Sequence, residues 1–436
     1  MSEQASKSAR VRDRRNRLVV KLGTNLLTNG GESLDIELMS GLVAQIAALM
    51  EAGHEILVVT SGAVAGGRRV VARRARTEQP RTGDVPGRQV LAALGMPELM
   101  RTYDELFAGH GIAVAQALIS RPDIANRQRY LNVRNTLESL LNIGAVPIIN
   151  ENDVVTVEEL EGDVFGDNDR LSASIANAVN ADGLLLLGHE DGLFTADPNV
   201  DPSATRVELV THIGDEIEAM AGDARDGRGQ GGMRSKVEAA RMATRFGAYT
   251  VIASGRTPDV IQRIADGERI GTRFEPTTGR VEGWKRFLLT GTASSRGSVV
   301  IDPGATRAIR FGGNSLLPAG VVRVDGPFER GDNITVLDPS QTVVAWGIAN
   351  YRSDDIKRIM GVRSDRIKSI LGYGYGPDIV HRNNMALADN GREHDSLIAR
   401  KSGKLQGGDG GGSPKRPGKR PGERSRKRTT ERAKGI

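Results

Sequence analysis

No cysteine occurs among the 436 residues. Its absence excludes disulfides, thiolate metal sites and a cysteine nucleophile. Aromatic residues make up only 4%, so Leu, Val, Ile and Ala carry most of the packing. No apolar run approaches the ~20 residues that span a bilayer. The first thirty residues are basic and polar and hold no apolar signal-peptide core. A cytoplasmic protein without a membrane segment is expected. The six histidines are scattered, with no HExxH and no paired zinc spacing. A G-x-S-x-G elbow and the G-x-x-x-x-G-K-[ST] phosphate loop are also missing.

Glycine, by contrast, is abundant at 54 residues, against an average usage of about 7%. The glycines follow no Gly-X-Y period, which excludes collagen. Net charge is +6, but it is unevenly spread. Residues 401–436 hold twelve Lys/Arg against three Asp/Glu, and residues 1–17 hold six against two. The intervening body therefore carries about −7, a mildly acidic globule between basic ends.

The length suggests two or three domains. Residues 1–16 and 401–436 are almost free of large apolar side chains, cannot offset their ordering entropy, and are expected to be a disordered basic arm and tail. Between them, buried strands alternate with helices. The strands are Arg17–Leu22, Ile56–Thr60, Ile112–Leu118, Ala145–Asn150, Gly183–Leu187 and Tyr249–Ala253. Helical spacing runs over Asp35–Ala52, Tyr130–Asn142, Asp169–Asn180 and Ser235–Phe246. Continuous apolar strands joined by helices predict a three-layer α/β/α sandwich with a mainly parallel sheet over residues 17–275. A linker over 276–293 follows. The runs SVVID, GVVRVDG, NITVLD and VVAWGIANY then predict a small β-rich domain over 294–385.

Five polar or glycine-bearing turns stand at strand ends or helix starts. Ligands of open parallel sheets bind outside the carboxyl ends of strands. Lys21-Leu22-Gly23-Thr24-Asn25 can present an ammonium and backbone amides to a phosphate. Thr60-Ser61-Gly62-Ala63 opens a glycine-rich helix start, VAGG, whose small side chains would let a ligand reach the backbone; plain N-capping by Ser61 is the alternative. Asn150-Glu151-Asn152-Asp153 suits an ammonium or hydroxyl group. Gly166-Asp167-Asn168-Asp169 has more polar groups than one cap needs, and could orient catalytic lysines or ligate Mg²⁺ through water. Gly227–Gly232 formally matches G-x-G-x-x-G, but no strand immediately precedes it. A mobile glycine loop delivering Lys236 to a nucleotide phosphate is its expected use. Two lysines and carboxylate clusters at strand ends suit phosphoryl transfer, which chiefly needs positioning and charge neutralisation.

In order, the blocks VVKLGTN, VVTSGAVAGG, VPIINENDVV, FGDNDRLSA, GLFTADP, GGMRSK and LGYGYGPDIVHR resemble the amino-acid kinase family over roughly residues 17–385. The resemblance is closest to its branch that phosphorylates the side-chain carboxylate of L-glutamate and carries a C-terminal PUA domain. It implies the amino-acid kinase fold with a PUA-like pseudo-barrel, ATP and Mg²⁺ as cofactors, and L-glutamate as acceptor on the route to proline. By motif match, Lys21 neutralises the transferring phosphoryl group, Lys236 meets the nucleotide phosphates, and Asp169 holds both lysines. Ser61, Asp153 and Asn168 match glutamate-binding positions, with Asn150 and Asp167 lining the same pocket. Gly23 and Gly62 would donate backbone N–H groups to phosphoryl oxygens. Gly188, His189, Gln230, Gly231, Gly232, Met233, Arg234 and Ser235 would adjoin the nucleotide. The family further implies a dimer or tetramer and feedback inhibition by proline.

The sequence departs from the family pattern in two places. Gly188-His189 replaces the usual Thr-Asp after the fifth strand, and the glycine loop carries Gln230 and Arg234. Both changes concern the nucleotide rather than glutamate. Two alternatives come with the reading. One is a kinase of the same fold acting on another small acid. The other is an RNA-associated protein using the PUA-like domain and the basic tail, where Lys415 to Arg428 form a polycation. The β-rich domain offers no aromatic stacking row in sequence.

Overall fold

The computed structural model describes residues 16–31, 33–73, 85–155, 168–198, 200–222, 232–276 and 297–388. The basic tail, and all but residue 276 of the expected linker and residue 16 of the expected basic arm, lie outside the described residues. Eight strands form the first sheet: β1 (Arg17–Leu22), β2 (Glu55–Thr60), β3 (Val114–Ile119), β4 (Val146–Glu151), β5 (Gly183–Gly188), β6 (Leu209–Val210), β7 (Tyr249–Ser254) and β8 (Thr272–Phe274). Their order is β3-β4-β2-β1-β5-β7-β8-β6. The six strands from β3 to β7 in that order are parallel. Strand β8 runs antiparallel to β7, and the short β6 pairs parallel with β8.

The helices of this domain are α1 (Thr24–Thr28), α2 (Ile36–Glu51), α3 (Ala63–Arg73), α4 (Val85–Ala108), α5 (Arg121–Ala125), α6 (Arg127–Asn142), α7 (Asn168–Ala178), α8 (Asp215–Met220), α9 (Met233–Arg245) and α10 (Val260–Ala265). Alternate residues of a strand face opposite sides, and the core divides accordingly. Leu18, Val20, Leu22, Val58 and Leu185 pack with α2 and α4 residues on one face. Val19, Leu57, Val59, Leu184 and Leu186 pack with α7 and α9 residues on the other. The sandwich has three layers, as the continuous apolar runs require.

Helices α3 and α4 cross at very short range. A Cβ on Gly67 would lie 1.9 Å from the Leu91 carbonyl oxygen, and one on Gly95 would lie 1.8 Å from that of Ala63. The VAGG glycines therefore serve helix packing, and not the ligand access expected from their sequence.

The chain order also fixes where a ligand fits. From β1 the chain passes to its neighbour β2, then to the edge strand β3, back inward to β4, and later crosses to β5 on the other side of β1. The crevice at the carboxyl ends of β1, β2 and β5 is thus a topological switch point.

The second sheet contains β9 (Gly297–Ile301), β10 (Val321–Asp325), β11 (Asn333–Leu337), β12 (Val343–Ile348) and β13 (Met385–Leu387), ordered β10-β9-β11-β12-β13. Helices α11 (Pro303–Gly312), α12 (Ser353–Ile359) and α13 (Ile367–Leu371) accompany it. Its own core holds Val299, Ile301, Ile334, Val344, Tyr351 and Ile356. A small seam of Tyr130, Leu131, Ala178, Ile348 and Ala386 joins it to the first domain.

Candidate active site

Strand β1 is buried from Leu18 onward, so the polar residue near its carboxyl end, Lys21, is carried inside at 5% exposure. Its Nζ lies 2.5 Å from Oδ1 of Asp169. Asp169 stands in the first turn of α7, at 0% exposure. The other oxygen, Oδ2, accepts a hydrogen bond from the Ser235 hydroxyl at 2.9 Å. Ser235 and Lys236 occupy the first turn of α9, and Lys236 is 4% exposed. Burial alone would push the Asp169 carboxyl up. The charges of Lys21 and Lys236 and the hydrogen bonds from Lys21 and Ser235 overcome this, and hold it below the usual carboxylate range. Of the three buried charges two are positive and one negative, and such an excess of buried ammonium groups suits an anionic ligand.

A second group sits beside this centre. Nδ2 of Asn168 lies 3.0 Å from each of the Thr60 carbonyl, the Ser61 hydroxyl and Oδ1 of Asn150. These residues come from the ends of β2 and β4 and the start of α7, and Thr60, Asn150 and Asn168 are buried. Oδ1 of Asn168 is buried with no hydrogen-bond partner among the described residues. A buried, unsatisfied acceptor is costly, and a ligand ammonium would satisfy it.

The structure brings Lys21, Asp169, Ser235 and Lys236 together, and Ser61, Asn150 and Asn168 together. Asp153 lies just beyond β4, half-buried, in the turn that follows. Asp167, Gln230 and Gly231 fall outside the described residues. Gly232 is the N-cap of α9, and Met233 opens the helix. Lys236 thus stands in the helix expected over Ser235–Phe246, which begins two residues earlier, and the glycine loop before Gly232 lies outside the described residues. Two further expectations meet a different geometry. The Gly23 amide donates to the Leu187 carbonyl at 3.1 Å, so it is already engaged. The Ser235 hydroxyl is turned to Asp169. Gly62 adopts φ +103°, a region that favours glycine, and its amide has no partner among the described residues. Gly188 ends β5, His189 beyond it is exposed, and Arg234 lies 3.8 Å from Glu238 on the outer face of α9.

Sequence reasoning named Thr60 in its turn but gave it no role; its carbonyl anchors Asn168 and its hydroxyl lies 2.7 Å from that of Tyr103. It also passed over Glu190, whose Oε2 lies 3.5 Å from Nζ of Lys236. Its place two residues past the end of β5 was the available signal. In the second domain, aromatic side chains do meet. Tyr351 and Tyr373 flank Tyr375 at centroid distances of 5.7 and 5.4 Å, and the Arg330 guanidinium sits 4.1 Å over the Tyr375 ring. Tyr373 and Tyr375 are sequence neighbours, but Arg330 and Tyr351 stand well before them in the chain, so the cluster as a whole was not visible there.

Among the described residues, no group of three or more His, Asp or Glu is placed to hold a metal ion. No helix among them is long and apolar enough to cross a membrane.

The model of the amino acid kinase family matches residues 16–254. The chain belongs to the amino acid kinase family. In this kinase the PUA domain model further matches residues 297–371, where the second sheet lies. A glutamate 5-kinase of Dehalococcoides mccartyi (strain CBDB1) is 45% identical over 371 residues, covering 85% of this chain and 98% of that protein. The glutamate 5-kinase of Chromohalobacter salexigens is 44% identical over 387 residues, covering 89% of this chain and 100% of that protein. That of Burkholderia mallei (strain SAVP1) is 46% identical over 371 residues, covering 85% and 97%.

Proposed function

We propose that this kinase transfers the γ-phosphoryl group of ATP to the side-chain carboxylate of L-glutamate, giving L-glutamyl 5-phosphate and ADP, the first step towards proline. The relatives, about 45% identical over most of the chain, support the reaction class. The observation that carries the assignment of residues is the contact of Lys21 with Asp169 at 2.5 Å, with Lys236 close enough to bias the same carboxylate.

In this reading a glutamate carboxylate oxygen attacks the γ-phosphorus while the bond to the β,γ-bridging oxygen breaks. Lys21 neutralises charge on the equatorial oxygens, and Lys236 meets the nucleotide phosphates. Asp169 holds both ammonium groups so that no reorganisation is needed during transfer. Ser61, Asn150 and Asn168, with Asp153 and Asp167, recognise the α-amino and α-carboxylate ends of glutamate. The Gly62 amide is an open donor for a phosphoryl oxygen. Both Asp169 oxygens are engaged, so among the described residues few ligands are left for Mg²⁺. This fits an ion held mainly by nucleotide phosphates and water, and there it would shield the phosphate charges. Proline as a feedback inhibitor, a dimeric or tetrameric assembly and a cytoplasmic location complete the proposal.

Hydroxylamine traps acyl phosphates as hydroxamates. With ATP and Mg²⁺, hydroxamate should form from L-glutamate and not from N-acetylglutamate or aspartate. Turnover of the N-acetylated acid in place of free glutamate would reverse the substrate assignment.

A further inference from the structure

The pocket holds one anion that the proposed reaction does not use. Glu190 lies just beyond the end of β5, and its Oε2 is 3.5 Å from Nζ of Lys236. The side chain of Lys236 is 6% exposed and that of Glu190 is 48% exposed. The cation is therefore fixed inside, and the carboxylate reaches in from the mouth. The room for that reach comes from Gly188. A Cβ there would lie 2.7 Å from Glu190 Oε2 and 3.3 Å from Lys236 Cε. Any side chain at position 188 would crowd the carboxylate off the ammonium.

A carboxylate and a phosphate oxygen compete for the same N–H donors. Resting on the reading that Lys236 meets nucleotide phosphates, we propose that Glu190 is a displaceable counter-anion on Lys236. Gly188 makes the space for it, and ATP or ADP breaks the pair on binding. The charges of Lys236 and Asp169 also act on each other, so the ammonium keeps a counter-charge when Glu190 leaves. The pair is broken both in the nucleotide complex and in the transition state. Its cost therefore falls on nucleotide affinity and not on the chemical step. For a half-exposed pair the cost corresponds to a few-fold change in binding. Removing a negative charge from the mouth acts in the same direction on a polyanionic ligand.

The test is calorimetric titration of Mg·ATP and Mg·ADP into the full chain, without glutamate, for the natural protein, E190Q, G188A and the double variant. Steady-state kinetics with glutamate run alongside. Nucleotide Kd should fall about three- to fivefold in E190Q, with KM for ATP falling in step and kcat holding. The added Cβ of G188A should tighten binding similarly, and the double variant should gain nothing over E190Q. Weaker or unchanged nucleotide binding in E190Q overturns the proposal, as does a loss confined to kcat. Additive gains in the double variant, or no nucleotide binding by any form, overturn it too. Because the titrations contain no glutamate, they separate this inference from the substrate reading. Tighter binding by E190Q in a protein that phosphorylates no glutamate would sink that reading alone.

Discussion

Asp169 accepts from Lys21 with one oxygen and from Ser235 with the other, at 0% exposure. Such a carboxylate is costly to bury unless fully partnered, and here its partners are the residues that would meet the phosphates. Asn168, the neighbouring residue, ties the ends of β2 and β4 together. Asn168→Ala should therefore raise KM for glutamate at least tenfold while changing KM for ATP far less, measured by steady-state kinetics. Equal losses for both substrates would mean that Asn168 acts on the whole pocket. Lys21, Asp169 and Lys236 were legible as candidates in the sequence because each lies near the end of a buried strand or opens a helix. Glu190 and the turn of Ser235 towards Asp169 were not, since both depend on approach across the sheet ends. The engagement of the Gly23 amide by Leu187 depends likewise on the β1–β5 neighbourhood.

At the scale of elements, the inner strands were legible because both their faces are buried and their apolar runs are unbroken. The edges were not. Strand β6 has two residues and β8 three, too short for any periodic signal. Strand β13 adds a three-residue edge to the second sheet from far along the chain. Its pairing is set by tertiary contact. The role of the VAGG glycines in the α3–α4 crossing was not legible for a related reason, since glycine alone does not say whether backbone or ligand approaches it. A methyl group on Gly67 would meet the Leu91 carbonyl at 1.9 Å, which forces backbone movement. Gly67→Ala should destabilise the protein by about 1–3 kcal/mol and lower Tm in calorimetry. Because α3 begins right after Ser61 and Gly62, it should also weaken glutamate binding. An unchanged Tm would show that the helices separate freely.

Across the whole molecule, the two domains meet over a polar seam as well as an apolar one. Arg134 of α6 is 1% exposed, and its guanidinium donates to Asn384, just before β13. Nearby, burial pushes the Asp378 carboxyl up to about 6, against the opposing charge of Arg134. Burial and Arg134 together push His381 down to about 4. A carboxyl whose folded value exceeds its unfolded value binds its proton more tightly when folded. Its stabilisation is present below the unfolded value of 3.8 and is lost as pH rises through about 6. Relative to Asp378→Asn, the natural protein should thus lose on the order of 2–3 kcal/mol of stability between pH 4 and 7. Parallel denaturation curves for the two proteins across that window would contradict the assignment.

The central claim is that two lysines on one buried carboxylate carry the phosphoryl transfer. The most direct test is the turnover of Lys21→Ala at saturating ATP, Mg²⁺ and L-glutamate, followed by hydroxamate formation. Loss of one transition-state donor should lower kcat on the order of 10²–10³-fold, with folding intact. Turnover equal to that of the natural protein would contradict the claim.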